Sequence, residues 1–344
     1  MSIALSRRRF VHLSGIAAAA ALLPVSALAA PVTLRVGYIP IIPMTQLFIM
    51  QGEGWADKAG LKLELTQFSS GPAMVQALAS GSLDVAYVGI GPAMVARSRG
   101  IDVKVLASNI IDQVALIGRG PFAEMMAAAP SAAEGFKSFH DRAGRPAKIA
   151  TLPTGSVPDT ILRYYLNRVA QADPGHVEIV GVGEDQVQQA LLAGAVEGAS
   201  ILEPILTIVQ ERDPTARIVA PAGTMLPRQP GAVLAVREAT IAADRDAVAT
   251  LVELHVRATE FARTQLDRAT DHVAALVGKG LVDPRIIGKA LRSPHTNLVA
   301  DPHVIRDATA VLQDFQQTLG TQVKPVNLDE LFDYSFFDAV PKAG

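Results

Sequence analysis

The chain has 344 residues, of which 49% are hydrophobic and 5% aromatic, and its formal net charge at pH 7 is −2. It contains no cysteine, which excludes disulfides, thiol catalysis, thiolate zinc sites and iron–sulfur clusters. The mildly acidic balance argues against nucleic-acid binding, which requires a basic surface. A chain of this length exceeds what one hydrophobic core usually organises, so we expect two domains.

Residues 1–30 are typical of a secretory signal peptide. Three arginines, Arg7 to Arg9, precede an apolar stretch over residues 17–23, and Ala27-Leu28-Ala29 is a small-residue cleavage site. The paired arginines before Phe10 indicate twin-arginine export, with an ordinary Sec signal as the alternative. We expect cleavage near Ala29 and a periplasmic protein without a lipid anchor. Its net charge would be −5, from 28 basic and 33 acidic residues.

The first part of the mature chain alternates between strand and helix patterns. Period-two alternation predicts strands, and glycines mark the ends of the segments between them. The predicted strands are 33–39, 61–65, 83–88 and 103–107, and the predicted helices are 45–55, 73–80 and 92–98. Strands that alternate with helices imply an α/β fold with parallel pairing through βαβ crossovers.

An internal duplication is the most informative feature of the sequence. Residues 76–86 align with residues 189–199, and each copy is a helix end, a glycine, an apolar residue, an acid and a strand. The glycine of each copy, Gly81 or Gly194, suits a left-handed helix C-cap. A helix that starts at a proline follows both copies. Two copies about 113 residues apart favour two similar α/β lobes.

The rest of the chain completes the second lobe and adds a helical tail. Further strands are predicted at 114–117, 148–150, 177–182, 216–220 and 232–236, and a helix that opens at 154–159 has its apolar face on Ile161, Leu162, Tyr165, Leu166 and Val169. We expect a surface helix and loops over 121–146, and helices from Ala242 onward that pack back on the first lobe. The chain would cross between lobes near 112–120 and 216–232, forming a hinge. The predicted boundaries are 31–115 with 222–344 for lobe 1, and 116–221 for lobe 2.

Catalytic patterns are absent from the sequence. The seven histidines are scattered, and there is no nucleophile elbow, Walker loop or complete dinucleotide fingerprint. Gly89-Ile90-Gly91 is only half of such a fingerprint. We therefore expect no catalytic residue, no metal site and no cofactor, and we interpret the chain as a binding protein rather than an enzyme.

Helix starts at strand ends are the strongest candidates for a ligand site. Residues 69–71, 89–91 and 154–156 place small or hydroxylated residues before helices, where unpaired N–H groups can bind an anion. Each could instead be a plain N-cap, which Ser and Thr favour. The predicted ligand-binding residues, including the turn after the first strand, are Pro43, Met44, Gln46, Ser70, Gly71, Gly89, Gly91, Thr154, Gly155, Ser156 and Glu203.

Glu203 raises the question of the ligand's charge. It precedes Pro204 at a strand-to-helix junction of the second lobe. If it faces the cleft, its carboxylate would repel an anion and pair with an ammonium or amidinium group. Otherwise it simply complements the positive end of the helix dipole.

The order of these segments resembles the nitrate/sulfonate/taurine class of periplasmic binding proteins that serve ABC importers. The resemblance rests on residues 37–40, 70–71, 77–86 with Gly89, 155–156, 190–194 leading to 203–204, and loosely on 332–335. It implies a type II periplasmic-binding-protein fold of two α/β lobes, joined by a two-strand hinge, with a helical C-terminal tail. The long stretch 121–146 and Leu202-Glu203-Pro204, where sulfonate binders often carry aromatic residues, depart from the family pattern.

The resemblance also implies a function. A monomer would capture a small sulfonate-, taurine- or nitrate-like solute and deliver it to an ABC permease with a cytoplasmic ATPase, meeting the membrane only through that permease. The alternatives are a sensory or partner-docking protein on the same fold, and a periplasmic enzyme.

Overall fold

A computed structural model describes residues 30–277 and 282–341. The predicted signal peptide lies, apart from Ala30, outside the described residues. The strands are β1 (Val32–Tyr38), β2 (Leu61–Gln67), β3 (Val85–Gly89), β4 (Val103–Ser108), β5 (Ile110–Ile111), β6 (Ala115–Gly118), β7 (Ala147–Thr151), β8 (Val177–Gly181), β9 (Gly198–Ile201), β10 (Arg217–Ala220), β11 (Ala232–Arg237) and β12 (Asn297–Leu298).

The helices in the first two-thirds of the chain are α1 (Thr45–Gly52), α2 (Trp55–Lys58), α3 (Gly71–Ala79), α4 (Ile90–Ser98), α5 (Gly120–Ala128), α6 (Ala132–Ala143), α7 (Val157–Tyr164), α8 (Glu184–Ala193), α9 (Ile205–Arg212) and α10 (Ala222–Met225). The C-terminal helices are α11 (Glu238–Ala243), α12 (Arg245–Thr264), α13 (Leu266–Leu276), α14 (Pro284–Leu291), α15 (Arg306–Thr318), α16 (Leu328–Leu331) and α17 (Ser335–Asp338). Within residues 30–277 and 282–341, no helix is both long and apolar enough to span a bilayer.

Two five-stranded sheets organise the chain. The first has the order β2-β1-β3-β11-β4, and the second has the order β10-β6-β9-β7-β8. In the first, β1 pairs in parallel with β2 and β3. In the second, β7 pairs in parallel with β8 and β9. The predicted parallel βαβ pairing is therefore confirmed for three strands of each sheet.

The fourth strand of each sheet runs antiparallel to its neighbours. β11 pairs antiparallel with β3 and β4, and β6 pairs antiparallel with β9 and β10. Both strands enter their sheet directly from a chain crossing, without the helical crossover that parallel pairing requires. Read from their parallel edges, the two sheets have the same topology. The duplicated segments occupy equivalent positions at the ends of α3 and α8, where Gly81 and Gly194 have φ of 72° and 71°.

The two crossings between the sheets are hydrogen-bonded to each other. The N–H of Asp112 donates to the Gln229 carbonyl at 3.0 Å, and the N–H of Gln229 donates to Asp112 Oδ1 at 2.9 Å. The Gln229 side chain accepts from the Val114 N–H at 2.7 Å and donates to the carbonyls of Val114 and Ala222, each at 3.1 Å. Gln229 is fully buried, so this polar cluster joins the two crossings into one hinge.

Residues 121–146 are more ordered than the predicted surface helix and loops. They form α5 and α6, which pack together through the buried rings of Phe122 and Phe136, with centroids 5.6 Å apart. Phe139, one turn after Phe136, meets Phe122 edge-on, also at 5.6 Å. The high alanine content conceals this aromatic stripe, whose i, i+3 spacing is that of a packed helix.

The predicted apolar face over 161–169 holds except at its end. Ile161, Leu162, Tyr165 and Leu166 are buried, whereas Val169 is 44% exposed. The reason is a π-helical turn over Tyr165–Val169, since the extra residue per turn rotates Val169 off the buried face.

The C-terminal tail is helical as predicted, but it packs on helices of both lobes and not on the first lobe alone as expected. Helix α12 packs against α1 and β4, while α16 and α17 pack against β4. Helix α14 packs against α9, and α15 lies against both α4 and α7. The ring of Phe315 on α15 meets Tyr164 on α7 edge-on at 5.4 Å. The tail therefore joins helices of the first and second sheets.

Candidate functional site

An open cavity of about 740 Å³ lies where the strand ends of the two sheets face each other. Its first wall comes from the ends of β1 and β2, and its second wall comes from the segment after β7 and the start of α8. Crevices at the carboxyl ends of parallel strands are where α/β proteins bind ligands. The lining residues are Ile39, Pro40, Gln67, Phe68, Ser69, Pro153, Gly183, Glu184, Asp185 and Gln186.

Ser70 and Gly71 follow one wall of this cavity and begin α3. The Ser70 hydroxyl accepts a hydrogen bond from the Ala73 N–H at 3.4 Å, so the side chain is an N-cap. A Cβ on Gly71 would lie 2.5 Å from Pro92 Cγ, which shows that α3 and α4 begin in close contact. Ser69 lines the cavity, whereas Ser70 is buried.

Gly89 and Gly91 lie where α4 meets the start of α7. A Cβ on Gly89 would lie 2.7 Å from Val157 Cγ2, and a Cβ on Gly91 would lie 3.6 Å from the Gly155 carbonyl oxygen. A side chain at position 89 would clash with Val157, so glycine permits the close approach there, whereas the distance from Gly91 to Gly155 is an ordinary van der Waals contact. The first turn of α4 contains no acidic residue, so its positive end is not neutralised by its own side chains.

Thr154, Gly155 and Ser156 precede α7, and their polar groups are partly used within that helix. The Ser156 hydroxyl accepts from the Asp159 N–H at 3.3 Å, and Asp159 Oδ2 accepts from the Gly155 N–H at 3.1 Å. Gly155 has a φ of 86°, a left-handed conformation that favours glycine. Thr154 is exposed, next to the cavity residue Pro153. Since Asp159 already balances the helix dipole, α4 offers the more available anion-binding terminus.

Pro43, Met44 and Gln46 are buried beside the first crossing. Gln46 Nε2 donates to the Asn109 carbonyl at 2.8 Å and to Thr259 Oγ1 at 3.2 Å. Asn109 Nδ2 in turn donates to the Pro43 carbonyl at 2.9 Å. These contacts hold the start of α1 to the segment after β4 and to α12. Their role in ligand binding stays a prediction.

Glu203 has its carboxylate directed along its own helix. Oε2 accepts from the Thr207 N–H and Oε1 accepts from the Thr207 hydroxyl, each at 3.0 Å. The side chain is 2% exposed, and this burial raises the pKa of the carboxyl above its usual value. Pro204 lines a smaller cavity together with Glu184 and Asp185. Glu203 is not among the residues that line the larger cavity, and its role towards a ligand stays a prediction.

Glu184 is one of two acids in the cavity wall, the other being Asp185, and it was not predicted as a site residue. It is half-buried at the start of α8, and burial together with the neighbouring charge of Asp185 raises its pKa to about 8. Desolvation is the larger of these two causes, since it disfavours the charged carboxylate. The sequence contained a signal for this residue, because Gly183-Glu184 follows the end of a predicted strand, as Gly155 does.

Gln316 was also missed, because it lies in the helical tail. Its side chain is fully buried on α15, beside Gly91. The available signal was its position among buried apolar residues of the helix, since Gln316 lies four residues after Leu312 and directly after Phe315.

Among residues 30–277 and 282–341, no group of three or more His, Asp or Glu side chains lies close enough to hold a metal ion. His255 is buried in the first lobe, where Nε2 lies 2.8 Å from the Ser108 carbonyl and Nδ1 lies 3.3 Å from the Tyr87 hydroxyl. Burial lowers its pKa to about 4.

Two lobes of the same topology, a hydrogen-bonded double crossing and a polar interlobe cavity are the features of a two-lobed binding protein. The model of the NMT1-like family matches residues 28–278. The chain belongs to the NMT1-like family.

Individual relatives agree with this assignment. A protein of Brucella abortus that is named as a binding protein is 26% identical over 341 residues, covering 97% of this chain and all of that protein. A Bacillus subtilis protein named for binding aliphatic sulfonates is 24% identical, covering 85% of this chain and 84% of that protein. The ligand-binding component of an ABC-type import system from Staphylococcus aureus superposes with a TM-score of 0.74 at 15% identity, covering 91% of this chain and all of that structure.

These comparisons confirm the predicted family and fold class. The chain has the type II periplasmic-binding-protein fold of the solved sulfonate-binding and nitrate-binding structures, with a helical C-terminal region.

Proposed function

We propose that this protein is the periplasmic substrate-binding component of an ABC importer, which captures a small polar solute between its lobes and delivers it to the permease. The proposed solute class is sulfonate-, taurine- or nitrate-like. The proposal includes export through the N-terminal signal, a monomeric state, and lobes bounded at 31–115 with 222–344 and at 116–221. It also includes the absence of enzymatic activity.

The observation that carries the proposal is the contact between the glycine-rich starts of α4 and α7. Gly89 touches Val157, and Gly91 approaches the Gly155 carbonyl, so helix N-termini from both lobes meet at one point. A solute bound in the cavity that adjoins this contact would touch both lobes at once. Because it would bind the closed arrangement more tightly than an open one, it would shift the population towards closure.

Two further features support a solute of modest size. The adjoining cavity of about 740 Å³ lies within the range of small-molecule sites. The hinge consists of two short crossings held together by Gln229, which suits rigid-body motion of the lobes about a fixed axis. The sequence relative named for aliphatic sulfonates supports the proposed solute class.

Calorimetric titration of the purified mature protein tests the proposal. The panel contains taurine, methanesulfonate, longer alkanesulfonates and nitrate, and each titration is paired with a thermal-shift measurement. At least one solute should release or absorb heat with a saturable isotherm and raise the melting temperature, since ligand bound only to the folded state stabilises it. If no solute of the panel gives heat or a thermal shift, the proposed solute class is ruled out.

A further inference from the structure

Gln316 has an unusual environment for a buried side chain. It is 0% exposed, yet within the described chain neither Nε2 nor Oε1 has a hydrogen-bond partner. Each buried polar group without a partner typically costs about 1–3 kcal/mol, and such groups are rare in folded proteins. Both polar atoms of the amide are therefore available to a partner that the described residues do not supply.

The Gln316 amide lies at the meeting point of the two lobes. A Cβ on Gly91 would lie 2.9 Å from Gln316 Nε2 and 3.6 Å from the Gly155 carbonyl oxygen. Helix α15, which carries Gln316, packs against both α4 and α7, and Phe315 fixes it to Tyr164. The side chain is thus held beside the N-terminal turn of a nine-residue helix whose first turn contains no acid.

A second orphaned acceptor lies next to the same helix start. Gln113, on the first crossing, is 3% exposed, and its Oε1 has no hydrogen-bond partner among the described residues. Its Cδ would lie 2.8 Å from a Cβ on Gly231, and the Gly231 carbonyl accepts the Ile90 N–H at 3.0 Å. The hinge and the tail therefore each present an unpaired amide oxygen near the start of α4.

Amide chemistry restricts what can satisfy these groups. Nε2 is a donor and requires an acceptor, whereas Oε1 is an acceptor and requires an N–H or O–H. Nitrate and simple alkanesulfonates offer acceptors only, so they leave both amide oxygens unpaired. A solute that carries a donor beside an acceptor, such as a primary amide or an aminosulfonate, can satisfy both sides of Gln316.

We propose that Gln316 is a ligand-binding residue that selects solutes bearing an N–H or O–H donor next to an acceptor. This inference rests on the proposed function and narrows its solute class. The contact is made by the C-terminal tail, so the tail is part of the binding site as well as a support for the lobes.

The test compares Gln316→Met with Gln317→Met. Methionine keeps the length of the side chain and removes both polar atoms, and Gln317 is the next residue of the same helix, only half-buried. The probes are taurine and glycinamide, which carry donors, and methanesulfonate and nitrate, which do not. We expect the wild-type protein to bind a donor-bearing probe at least about tenfold more tightly than the acceptor-only probes. Gln316→Met should abolish that preference, and Gln317→Met should retain it.

The melting temperature without ligand gives an independent readout. Removing two unsatisfied polar atoms should leave the melting temperature of Gln316→Met equal to or above that of Gln317→Met. A lower melting temperature would overturn the proposal, because it would mean that ordered water satisfies the amide as a structural group. A preference for donors that survives in Gln316→Met would overturn it as well. If no probe binds the wild-type protein, the proposed solute class fails, while the ligand-free melting temperature still decides the role of Gln316.

Discussion

Gly89, the last residue of β3, touches Val157, the first residue of α7, with no room between them for a methyl group. A Cβ on Gly89 would lie 2.7 Å from Val157 Cγ2, a distance that real Cβ contacts essentially never show. The two residues belong to different lobes, so the contact exists only when the lobes are together. A substitution at this contact can therefore block closure of the lobes without unfolding either lobe.

Gly89→Ala should lower solute affinity at least about tenfold while leaving each lobe folded, because the added methyl group blocks closure. Val157→Ala removes the atom that clashes, so the double variant should recover most of the lost affinity. Calorimetry gives the affinities, and small-angle scattering should show a larger radius of gyration for Gly89→Ala. Equal affinity of the single variant and the wild type would contradict closure at this contact.

Glu184 should make stability fall as pH rises. Its pKa is raised to about 8, above its unfolded value of about 4.3, so the folded state holds a proton that the unfolded state releases. Stability from this group is fully present below about pH 4 and is lost progressively up to about pH 8. Glu184→Gln should remove that loss, which urea unfolding at pH 5 and pH 9 would measure. The exposed Glu178→Gln should keep the wild-type dependence, and an unchanged pH dependence in Glu184→Gln would contradict the assignment.

His255 should have the opposite dependence at acid pH. Burial lowers its pKa to about 4, below the unfolded value of about 6.5. As the pH falls from about 6.5 to 4, the unfolded chain gains a proton at this site and the folded chain does not, so stability declines. His255→Gln can still donate to the Ser108 carbonyl but does not titrate, and should flatten this part of the curve. Chemical denaturation gives the free energy of unfolding at each pH. If this free energy falls equally for His255→Gln and the wild type between about pH 6.5 and 4, His255 is not the group responsible.

Gln229 should be critical to stability despite its position in a loop. Gln229→Met leaves the N–H and carbonyl of Val114 and the carbonyl of Ala222 without their buried partner. We expect a loss of about 2–4 kcal/mol in the free energy of unfolding, measured by urea denaturation. The same substitution at the exposed Gln76 is the control and should cost less than about 0.5 kcal/mol. A small effect at Gln229 would show that water replaces its amide.

The duplicated lobes could be predicted because their signals are local. A helix end, a left-handed glycine and a buried strand recur at residues 76–86 and 189–199, and each signal depends only on neighbours in sequence. The antiparallel entry of β6 and β11 could not be predicted this way, because strand direction within a sheet depends on where the chain returns from.

The candidate site was predictable only in part. Gly89, Gly91 and Gly155 were found because small residues at strand ends have a local pattern, and they do lie together. Gln316 lies more than 150 residues from Gly155 and has no pattern that links them. For Glu203, the position at a helix start could be predicted from the sequence, but the direction in which its carboxylate points could not.

Local patterns along the chain were enough to predict two α/β lobes, two chain crossings and glycine-rich helix starts at strand ends. Packing between distant segments sets which helix starts meet, places Glu184 rather than Glu203 in the cavity wall, and brings Gln316 of the tail between the lobes. The difference lies in the distance along the chain over which each kind of interaction acts. Periodicity and capping act within a few residues along the chain, whereas a binding site consists of side chains brought together by packing.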